Sequence, residues 1–399
     1  MYKKKEGLGN DMQNKADIII IGGGVIGSSV AYHLLRDGFT GKVLVLEKDH
    51  LYEYASTPRS AGGIRQLYTT TINMQLSKYS LQVYKTFAED MAIDGEKAEI
   101  DFKQRGYLFL ATPEMLPRFE VHWGLQGTCG IESQLLDNGQ LLDIIPELNT
   151  SDLAGGLFCR ESGYLDPYSV MNGYVRNAKK LGAEYIYDEV DALLLEQDRI
   201  QGIKLMDGRE YHAPVVINCA GAWASILGEK AGLPLPVVPL PRQIFQFDIE
   251  KPLENYLPLT MDPTGVYFRH EGEKFISGYA EEIEPGINFK WRRSAFEEHI
   301  WPVLANRIQN FERAKIERGW SGLYDFNTED HNAIIGEYPN MKGYFIAYGF
   351  SGHGMQQAPA VGKCLSELIL KGKYETIDLT PLRVERFAEN ELIIEDAIY

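Results

Sequence analysis

The first ordered pattern in the chain is an unbroken apolar run from Ile18 to Ile21. Four β-branched residues in a row predict a strand that is buried on both faces. Apolar residues then recur at helical spacing over residues 25–35, and Gly38 follows where a helix C-cap belongs. The segment "KVLVLE", which ends at Glu47, predicts a second buried strand. The pattern of this region is therefore strand, helix, strand.

Further along the chain, helices and short strands are mixed. Helical spacing predicts helices near "MQLSKYSLQVYKTF", "YSVMNGYVRNAKKLG" and "RSAFEEHIWPVLANRI". Strands are predicted at "GYLFLAT", in a meander that ends in "VVINCAGAW", and at "RQIFQFDI" and "GVYFRHEGEKFISGY". A last strand, "GYFIAYGF", precedes a helix over "APAVGKCLSELIL". No repeat and no low-complexity linker separates these elements, which predicts domains that are interleaved along the chain.

A glycine-rich turn joins the first strand to the first helix. Gly22, Gly24 and Gly27 form the pattern G-x-G-x-x-G, and Glu47 lies twenty residues after the third glycine. The first glycine permits a tight turn, the second lets the backbone approach a pyrophosphate, and the third lets helix and strand pack closely. The helix N-terminus attracts the phosphates, and the acidic side chain accepts a hydrogen bond from a ribose hydroxyl. This pattern predicts a dinucleotide site, without distinguishing NAD from FAD.

A second glycine loop, "GFSGHGMQQAPAVG", spans Gly349 to Gly362 between the last predicted strand and helix. It brings bare backbone N–H groups and a helix N-terminus to one point, which stabilises negative charge. A reduced flavin carries such charge near N1 and the C2 carbonyl, whereas a reduced nicotinamide does not. The two loops together therefore favour FAD, with one loop at the pyrophosphate and the other at the flavin ring.

Length and charge restrict the class of protein. The chain has 399 residues, enough for two domains, and a net charge of -16. This charge argues against nucleic acid or an anionic membrane as the main partner, because both bind a basic face. The four cysteines lack metal-site or disulfide spacing, so no metal is predicted. No apolar segment is long enough to span a membrane, so we expect a cytoplasmic protein with a flexible start at residues 1–14.

The quoted segments, taken in order, resemble the FAD-dependent D-amino-acid oxidase superfamily. The resemblance rests on "IIIIGGGVIGSSVAYHL", "LVLEK", "VVINCAGAWA" and "GFSGHGMQQAPAVG" and covers essentially the whole chain. Within the superfamily, the chain is most similar to the sarcosine oxidase, glycine oxidase and dimethylglycine dehydrogenase group. The segment "ASTPRSAGGIRQLY" with "NMQLS" also resembles FAD oxidoreductase domain proteins tied to assembly of respiratory complex I.

The resemblance implies an α/β (mixed α+β) fold. It pairs a Rossmann-like FAD-binding domain with a substrate domain built on a mixed, largely antiparallel sheet. We expect residues 15–90, 151–232 and 320–385 to form the FAD-binding domain. Residues 91–150 and 233–319 are then expected to form the substrate domain.

The resemblance also implies roles for individual side chains at the substrate. Arg65 takes the place of an arginine that clamps the substrate carboxylate, for which the planar guanidinium is suited. Tyr267 and Tyr324 match aromatic residues of the pocket, and Arg269 follows on the same strand face as Tyr267. Gln356 replaces a second, carboxylate-binding lysine. The alternatives are a surface ion pair for Arg65 and ordinary sheet packing for Tyr267, Arg269 and Tyr324.

Residues expected to contact FAD lie in the two glycine loops and in the other segments that carry the resemblance. His353 is among them and is assigned to flavin contact rather than to proton transfer. The set is Gly22, Gly24, Val25, Ile26, Gly27, Glu47, Lys48, Ser56, Thr57, Ala61, Gly62, Gly63, Val190, Ala220, Gly221, Trp223, Gly349, Ser351, Gly352, His353, Gly354, Met355 and Gln356.

Three departures from the family pattern refine this expectation. Gly322 and Arg59 stand where relatives attach FAD through a cysteine or a histidine, so non-covalent FAD is predicted. Ile276 stands near the place of the lysine that activates oxygen in sarcosine oxidases, which favours a dehydrogenase over an oxidase.

The expected reaction is hydride transfer from a C–H next to nitrogen in a small amino acid or N-alkyl amino acid to flavin N5. The product is an imine that water hydrolyses. The electron acceptor is oxygen, a quinone or a partner protein, and the sequence is compatible with a homo- or a hetero-oligomer without deciding the oligomeric state. Two alternatives remain: a flavin subunit of a multi-subunit dehydrogenase, and a non-catalytic flavoprotein assembly factor.

Overall fold

The computed structural model describes residues 14–395, so nearly all of the predicted flexible start at residues 1–14 lies outside the described residues. Within the described range, the strands are β1 (Ile18–Ile21), β2 (Val43–Leu46), β3 (Gly63–Ile64), β4 (Tyr107–Ala111), β5 (Ser133–Leu136), β6 (Gly155–Cys159), β7 (Gly163–Tyr164), β8 (Glu184–Ile186), β9 (Val190–Glu196), β10 (Arg199–Leu205), β11 (Glu210–His212), β12 (Val215–Asn218), β13 (Val237–Asp248), β14 (Leu259–Met261), β15 (Tyr267–Glu271), β16 (Lys274–Gly278), β17 (Lys315–Asn327), β18 (Ile334–Glu337) and β19 (Tyr344–Tyr348).

The helices of the same range include each of those predicted from helical spacing. They are α1 (Val25–Arg36), α2 (Thr71–Asp90), α3 (Leu116–Thr128), α4 (Asn138–Ile144), α5 (Pro167–Lys180), α6 (Ala224–Lys230), α7 (Arg293–Ala295), α8 (Trp301–Arg307) and α9 (Gly354–Lys371). A π-helical turn at Phe296–Ile300 joins α7 to α8. None of these helices combines the length and the apolar character needed to cross a membrane.

A six-stranded sheet carries the first glycine loop. Its strand order is β18-β19-β12-β1-β2-β8, and β1 lies between the parallel partners β12 and β2. Ile18 and Ile20 pack in the core that contains α1, α5 and α9, whereas Ile19 and Ile21 pack against the small β9–β10–β11 sheet. The prediction of a strand buried on both faces is confirmed, because two different layers cover the sheet.

An eight-stranded sheet forms the second half of the molecule. Its order is β17-β13-β16-β15-β14-β4-β6-β5, and the pairs are antiparallel except for β14 with β4. Phe245 and Phe247 on one face pack against Phe296 beneath α7 and α8. The mixed, largely antiparallel sheet is confirmed, and its opposite face is free to form the wall of a site.

The chain passes repeatedly between the two sheets, as the lack of a linker predicts. The exact domain boundaries remain a prediction, but two strands pair otherwise than those boundaries imply. Strands β6 and β17 belong to the eight-stranded sheet, although residues 151–232 and 320–385 were assigned to the FAD-binding half. A local hydrophobic pattern predicts a strand but does not identify its partner, which explains the difference.

Helices α1 and α9 pack closely at two small residues. A Cβ atom added to Gly362 would lie 2.2 Å from Ser29 Oγ and 2.8 Å from the Ser29 carbonyl carbon. The Ser29 hydroxyl also donates a hydrogen bond to the carbonyl oxygen of Ala358, at 2.8 Å. The helix nearest the first glycine loop is thereby fixed against the helix that begins at the second loop.

We predict that Gly362→Ala destabilises the protein by about 1–3 kcal/mol, because the added methyl group overpacks the contact with Ser29. The matched control is Gly124→Ala on α3, where an added Cβ meets nothing within 4 Å. In a helix interior this control change should be neutral or stabilising by up to about 1 kcal/mol. Urea unfolding monitored by circular dichroism measures both. Equal free energies of unfolding for Gly362→Ala and wild type would contradict the close-packing account.

Candidate active site

A cavity of about 280 Å³ lies between the carboxyl ends of β1 and β2 and the free face of the eight-stranded sheet. In open α/β sheets, ligands bind at the carboxyl ends of the strands. The cavity wall contains most of the residues singled out from the sequence: Gly22, Gly24, Val25, Ile26, Glu47, Lys48, Ser56, Thr57, Ala61, Gly62, Gly63, Arg65, Val190, Ala220, Gly221, Trp223, Tyr267, Tyr324, Ser351, Gly352, His353, Gly354, Met355 and Gln356. Gly27, Arg269 and Gly349 do not line it.

The glycines of the first loop divide into packing and cavity positions. Gly22 has φ +95°, and an added Cβ would lie 2.5 Å from the Cys219 carbonyl oxygen. A Cβ on Gly27 would lie 1.9 Å from the Gly22 carbonyl oxygen, so Gly27 serves close packing of α1 on β1. At Gly24, by contrast, the nearest atom is Thr57 Oγ1 at 4.0 Å. The Gly24 backbone therefore borders open space, as the approach of a pyrophosphate requires.

The N-terminus of α1 presents positive charge to this space. Gly24 is the N-cap and supplies no side chain to the first N–H groups, and the first turn contains no acidic residue. The partial positive charge of the helix N-terminus is thus left for a bound anion.

Glu47 is held rigidly at the end of β2. Its Oε2 accepts a hydrogen bond from the Gly23 N–H at 2.9 Å, and its Oε1 accepts one from the Asp49 N–H at 2.9 Å. Burial raises the pKa of Glu47, and these two backbone hydrogen bonds oppose that shift. The carboxylate still lines the cavity, where it is suited to accept hydrogen bonds from ribose hydroxyls.

The second glycine loop requires glycine at position 352, because the backbone there lies against the ring of Tyr324. Gly352 has φ +91°, and an added Cβ would lie 2.5 Å from Cζ of Tyr324. Ser351, with φ +50°, shares this tight turn. Helix α9 begins two residues after Gly352, and its first turn carries no acidic residue and no side-chain cap. A second helix N-terminus therefore reaches the cavity wall.

A proline inside α9 is accommodated by a hydrogen bond from α2. Pro359 has no N–H to donate to the carbonyl oxygen of Met355, four residues earlier. The hydroxyl of Tyr84, which is buried, donates to that oxygen instead, at 2.5 Å. The Met355 carbonyl oxygen, in the first turn of α9 at the cavity, therefore has a hydrogen-bond partner.

Arg65 is a buried charged group on the cavity wall that several neighbouring side chains hold in place. Its side chain is buried, with 3% of the residue exposed, and its Nη2 lies 3.0 Å from His353 Nε2. Its backbone N–H donates to Gln356 Oε1 at 3.0 Å, and its Cζ lies 4.6 Å from the centroid of the Tyr68 ring. The Gln356 side chain thus orients the Arg65 backbone as well as lining the cavity.

The contact with Arg65 fixes the protonation of His353. A guanidinium has only donors, so His353 Nε2 accepts and the ring proton resides on Nδ1. Burial, with the positive charge of Arg65, holds the pKa of His353 well below its usual value. His353 is therefore a neutral ring that orients Arg65.

Two tyrosines bring the eight-stranded sheet to the cavity. Tyr267 and Tyr324 both line it, and burial raises the pKa of both hydroxyls, so they remain protonated. A Cβ on Gly278 would lie 2.8 Å from the Tyr267 hydroxyl oxygen, which shows how closely that ring is packed.

The expectation that Arg269 assists at the substrate is corrected by its contacts. Its Nε and Nη2 donate to the Ala61 carbonyl oxygen at 2.9 and 2.6 Å, and its Nη1 pairs with Glu271 at 2.6 Å. Arg269 shares a strand face with Tyr267, but this does not bring its guanidinium to the cavity, because the long side chain extends to the loop at Ala61. Arg269 thus supports the loop that leads to Arg65. Gly349, with φ +82°, likewise acts through its backbone, donating to Asp325 Oδ2 at 2.7 Å.

Arg242 is a cavity residue that the sequence reasoning missed. It lies on β13 opposite Gly322, and its Cζ is 5.6 Å from the Tyr324 ring centroid. Its Nη1 donates to the Glu281 carbonyl oxygen at 3.1 Å, whereas Nε has no hydrogen-bond partner among the described residues. Strand alternation in "PLPRQIF" places Arg242 on the face of Leu240 and Ile244, which was the available signal. Other missed wall residues include Tyr107, Asp188, Glu189, Gln243, Leu259, Met261, Tyr279 and Asp325.

The positions relevant to covalent attachment also lie on the cavity wall. Gly322 has no side chain, and the Arg59 side chain donates to the Ser321 carbonyl oxygen at 2.9 Å. Cys219 lines the cavity beside Gly22, but burial raises the pKa of its thiol, which disfavours the reactive thiolate. These residues fit FAD that is held without a covalent bond.

Comparisons with known proteins agree with this geometry. The family model described as "DAO: FAD dependent oxidoreductase" matches residues 17–368. The chain is 34% identical over 420 residues to "FAD-dependent oxidoreductase domain-containing protein 1" of Xenopus laevis, covering 96% of this chain and 84% of the relative. It is 27% identical to the mitochondrial sarcosine dehydrogenase of Homo sapiens, covering 96% of this chain and 42% of that longer protein.

Among solved structures, the L-proline dehydrogenase of P. horikoshii superposes with a TM-score of 0.86 at 29% sequence identity. That match covers 95% of this chain and 99% of the other. The family match, the two glycine loops and the cavity between the sheets lead to one conclusion: the chain belongs to the DAO family of FAD-dependent oxidoreductases, and its cofactor is FAD.

Proposed function

We propose that the protein oxidises a small amino acid or N-alkyl amino acid at a C–H bond next to nitrogen. The observation that carries this proposal is the buried guanidinium of Arg65 on the cavity wall, beside the first turn of α9. FAD, when bound, supplies the hydride acceptor, and the product is an imine that water hydrolyses. The protein supplies binding, orientation and electrostatics around that chemistry.

Arg65 is suited to hold the carboxylate of such a substrate. An arginine matches a carboxylate in a planar, bidentate geometry, and a site sheltered from water strengthens the attraction. His353 and Gln356 fix the position of Arg65, so little freedom is lost when a carboxylate binds. The aromatic walls of Tyr267 and Tyr324 then limit the size of the side chain or N-substituent.

The protonation states of the side chains around the cavity support a substrate amine that binds in its neutral form. His353 is neutral and engaged with Arg65, and both tyrosine hydroxyls have raised pKa values. A positive ammonium group would also be repelled by Arg65. The nitrogen lone pair of a neutral amine is available to assist departure of the hydride, so a strong base is not required.

Two features support a dehydrogenase over an oxidase. Ile276, near the position expected for an oxygen-activating lysine, is buried behind the cavity wall, and the wall residues that β13, β15 and β17 contribute include no lysine. The relatives reported above include proteins named L-proline dehydrogenase and sarcosine dehydrogenase. The acceptor is then a quinone or a partner protein rather than oxygen. The cytoplasmic location and the oligomeric state stay predictions.

A non-catalytic role as a flavoprotein assembly factor is the second candidate, whereas a flavin subunit of a multi-subunit dehydrogenase would be bleached by its amine and reoxidised slowly by air. The assembly-factor role is motivated by the resemblance of "ASTPRSAGGIRQLY" with "NMQLS" to FAD oxidoreductase domain proteins, and the Xenopus laevis relative of 34% identity carries that name. Anaerobic visible spectra of the yellow protein with glycine, sarcosine, proline and D-amino acids separate the two. Bleaching by an amine supports the oxidoreductase, and admission of air then distinguishes oxidase from dehydrogenase. A flavin that no amine bleaches favours the second candidate.

We predict that Arg65→Met lowers kcat/KM for the amine by about 30- to 1,000-fold. This range corresponds to about 2–4 kcal/mol for the loss of a buried charge contact. Arg65→Lys should recover part of the loss, because a point charge replaces the planar fork. Stopped-flow reduction of the flavin under anaerobic conditions measures both variants.

The control for Arg65 is Arg313→Met, which removes an arginine whose side chain is 77% exposed and pairs with Glu250. Its kcat/KM should stay within about twofold of wild type, as expected of a surface ion pair. Wild-type kinetics in Arg65→Met, with FAD fully bound, would exclude the carboxylate clamp.

The turn of the second glycine loop depends on a half-buried acid, Asp325. Asp325 Oδ2 accepts the Gly349 N–H, and the Asp325 carbonyl oxygen accepts the Ser351 N–H at 3.1 Å. Burial raises the pKa of Asp325 to about 6, although backbone hydrogen bonds from Phe350 and Gly349 partly offset the shift. The native protein therefore binds this proton more readily than the unfolded chain does.

We predict that Asp325→Asn is more stabilising at pH 8 than at pH 4. Above pH 6 the wild type retains a partly buried charge that asparagine lacks, whereas at pH 4 the acid is protonated in the native state and about half protonated in the unfolded state. The difference between wild type and variant should shift by about 2–3 kcal/mol across this range, since one pKa unit is about 1.4 kcal/mol. Urea unfolding at both pH values measures it, and a pH-independent difference would contradict the raised pKa.

A further inference from the structure

A short segment, residues 65–70, connects the cavity to the N-terminus of α2. Arg65 lies at its first position, and Thr70 is the N-cap of α2. Between them, the Gln66 N–H donates to Ser162 Oγ at 3.2 Å, and the Tyr68 carbonyl oxygen accepts from Gln126 Nε2 at 3.2 Å. The segment has no regular secondary structure, so its position depends on such individual contacts.

Four hydrogen bonds from this segment go to Glu395, close to the C-terminus. Glu395 is buried, with 1% of the residue exposed. Its Oε1 accepts the N–H and the hydroxyl of Thr69 at 2.9 and 2.7 Å. Its Oε2 accepts the N–H and the hydroxyl of Thr70 at 3.2 and 2.9 Å, and also Nδ2 of Asn73 at 3.0 Å. Thr70 does not cap α2 with its own side chain, and the Glu395 carboxylate lies beside the N-terminus of α2, where the helix dipole favours a negative charge.

A relay of amides joins the same carboxylate to the first turn of α9. Asn73 Oδ1 accepts a hydrogen bond from Gln357 Nε2 at 2.9 Å. The adjacent residue, Gln356, accepts the Arg65 backbone N–H. Glu395 therefore acts on both sides of Arg65, through Thr69 and Thr70 along the chain and through Asn73 to α9.

We infer that Glu395 is a positioning residue, which holds segment 65–70 so that the Arg65 guanidinium meets the carboxylate of the substrate. The inference rests on the proposed function, in which Arg65 binds that carboxylate. A displacement of about 1 Å in a group that orients substrate has large effects on binding and rate. A charge-assisted network of five donors on one buried carboxylate is suited to prevent such a displacement.

The C-terminal segment has other anchors that do not involve Glu395. Arg386 and Asp330 form a fully buried ion pair, with Nε and Oδ2 2.8 Å apart. The Asn332 side chain also donates to the Ile393 carbonyl oxygen. Removal of the Glu395 carboxylate should therefore loosen segment 65–70 while the C-terminal segment stays docked.

The test uses the FAD-loaded protein with Glu395→Ala, which leaves room for water to satisfy the threonine donors. Binding of acetate, a carboxylate without an amine, is measured by the perturbation of flavin absorbance, and kcat and KM are measured for an active amine. The matched control is Glu391→Ala, an exposed glutamate of the same segment that pairs with Arg383. Thermal unfolding and FAD content are recorded for each variant.

In Glu395→Ala we expect the Kd for acetate and the KM for the amine to rise about tenfold, with a smaller change in kcat. Glu391→Ala should match wild type in all three. A purely structural role would instead lower thermal stability and FAD content while the acetate Kd of the FAD-loaded fraction stayed at the wild-type value, and this result would overturn the inference.

Thr70→Ala covers the case in which Glu395→Ala does not retain FAD, because it removes one hydroxyl donor and leaves the backbone donors. Its acetate Kd should rise about two- to threefold, and an unchanged Kd would overturn the inference. A wild-type flavin that responds neither to acetate nor to any amine overturns the proposed function, and the inference with it. Wild-type binding of acetate with an unaffected Glu395→Ala variant overturns the inference alone.

Discussion

The close contact between α1 and α9 is the constraint on which the site depends. Each helix begins at a glycine loop on the cavity wall, and Ser29 meets Gly362 where no side chain fits between them. The contact fixes the spacing and orientation of two positive helix ends at once. A cofactor with an anionic pyrophosphate and a ring that becomes anionic on reduction requires such a spacing. The positions of Glu47 and Arg65 then follow from the strands and loops attached to this pair of helices.

The local charge of the site differs from that of the whole protein. The chain has a net charge of -16, yet Arg59, Arg65 and Arg242 all line the cavity. Acidic wall residues lie mainly near the first glycine loop, where Glu47 lies close to Asp188 and Glu189 along the wall. The cavity wall thus carries charges of both signs, and Arg65 and Arg242 both lie near Tyr324. Net charge therefore predicts the classes of macromolecule that bind poorly, but it does not describe the cavity wall.

Much of the fold followed from the sequence because the relevant signals are local. Strand, glycine turn and helix at residues 18–36 are determined by nearest neighbours, as are the strand and helix around the second glycine loop. Sheet membership of β6 and β17 did not follow, because pairing joins residues that are far apart in the chain. Arg269 was misplaced and Arg242 missed for a related reason. Strand alternation gives the face of a side chain, but the length of an arginine decides which loop it reaches.

The cavity is assembled from chain segments that are widely separated, from Ile21 at one end to Gln356 at the other. Contacts between distant segments close large loops of chain, so they form late in folding. FAD contacts require both glycine loops together with the strands between them, and so a nearly complete fold must exist before the cofactor binds tightly. Once bound, FAD stabilises the native state by mass action and opposes any opening that separates α1 from α9. Retention of the yellow colour is consequently a sensitive measure of the lifetime of the native state, and loss of FAD should accompany its first large-scale opening.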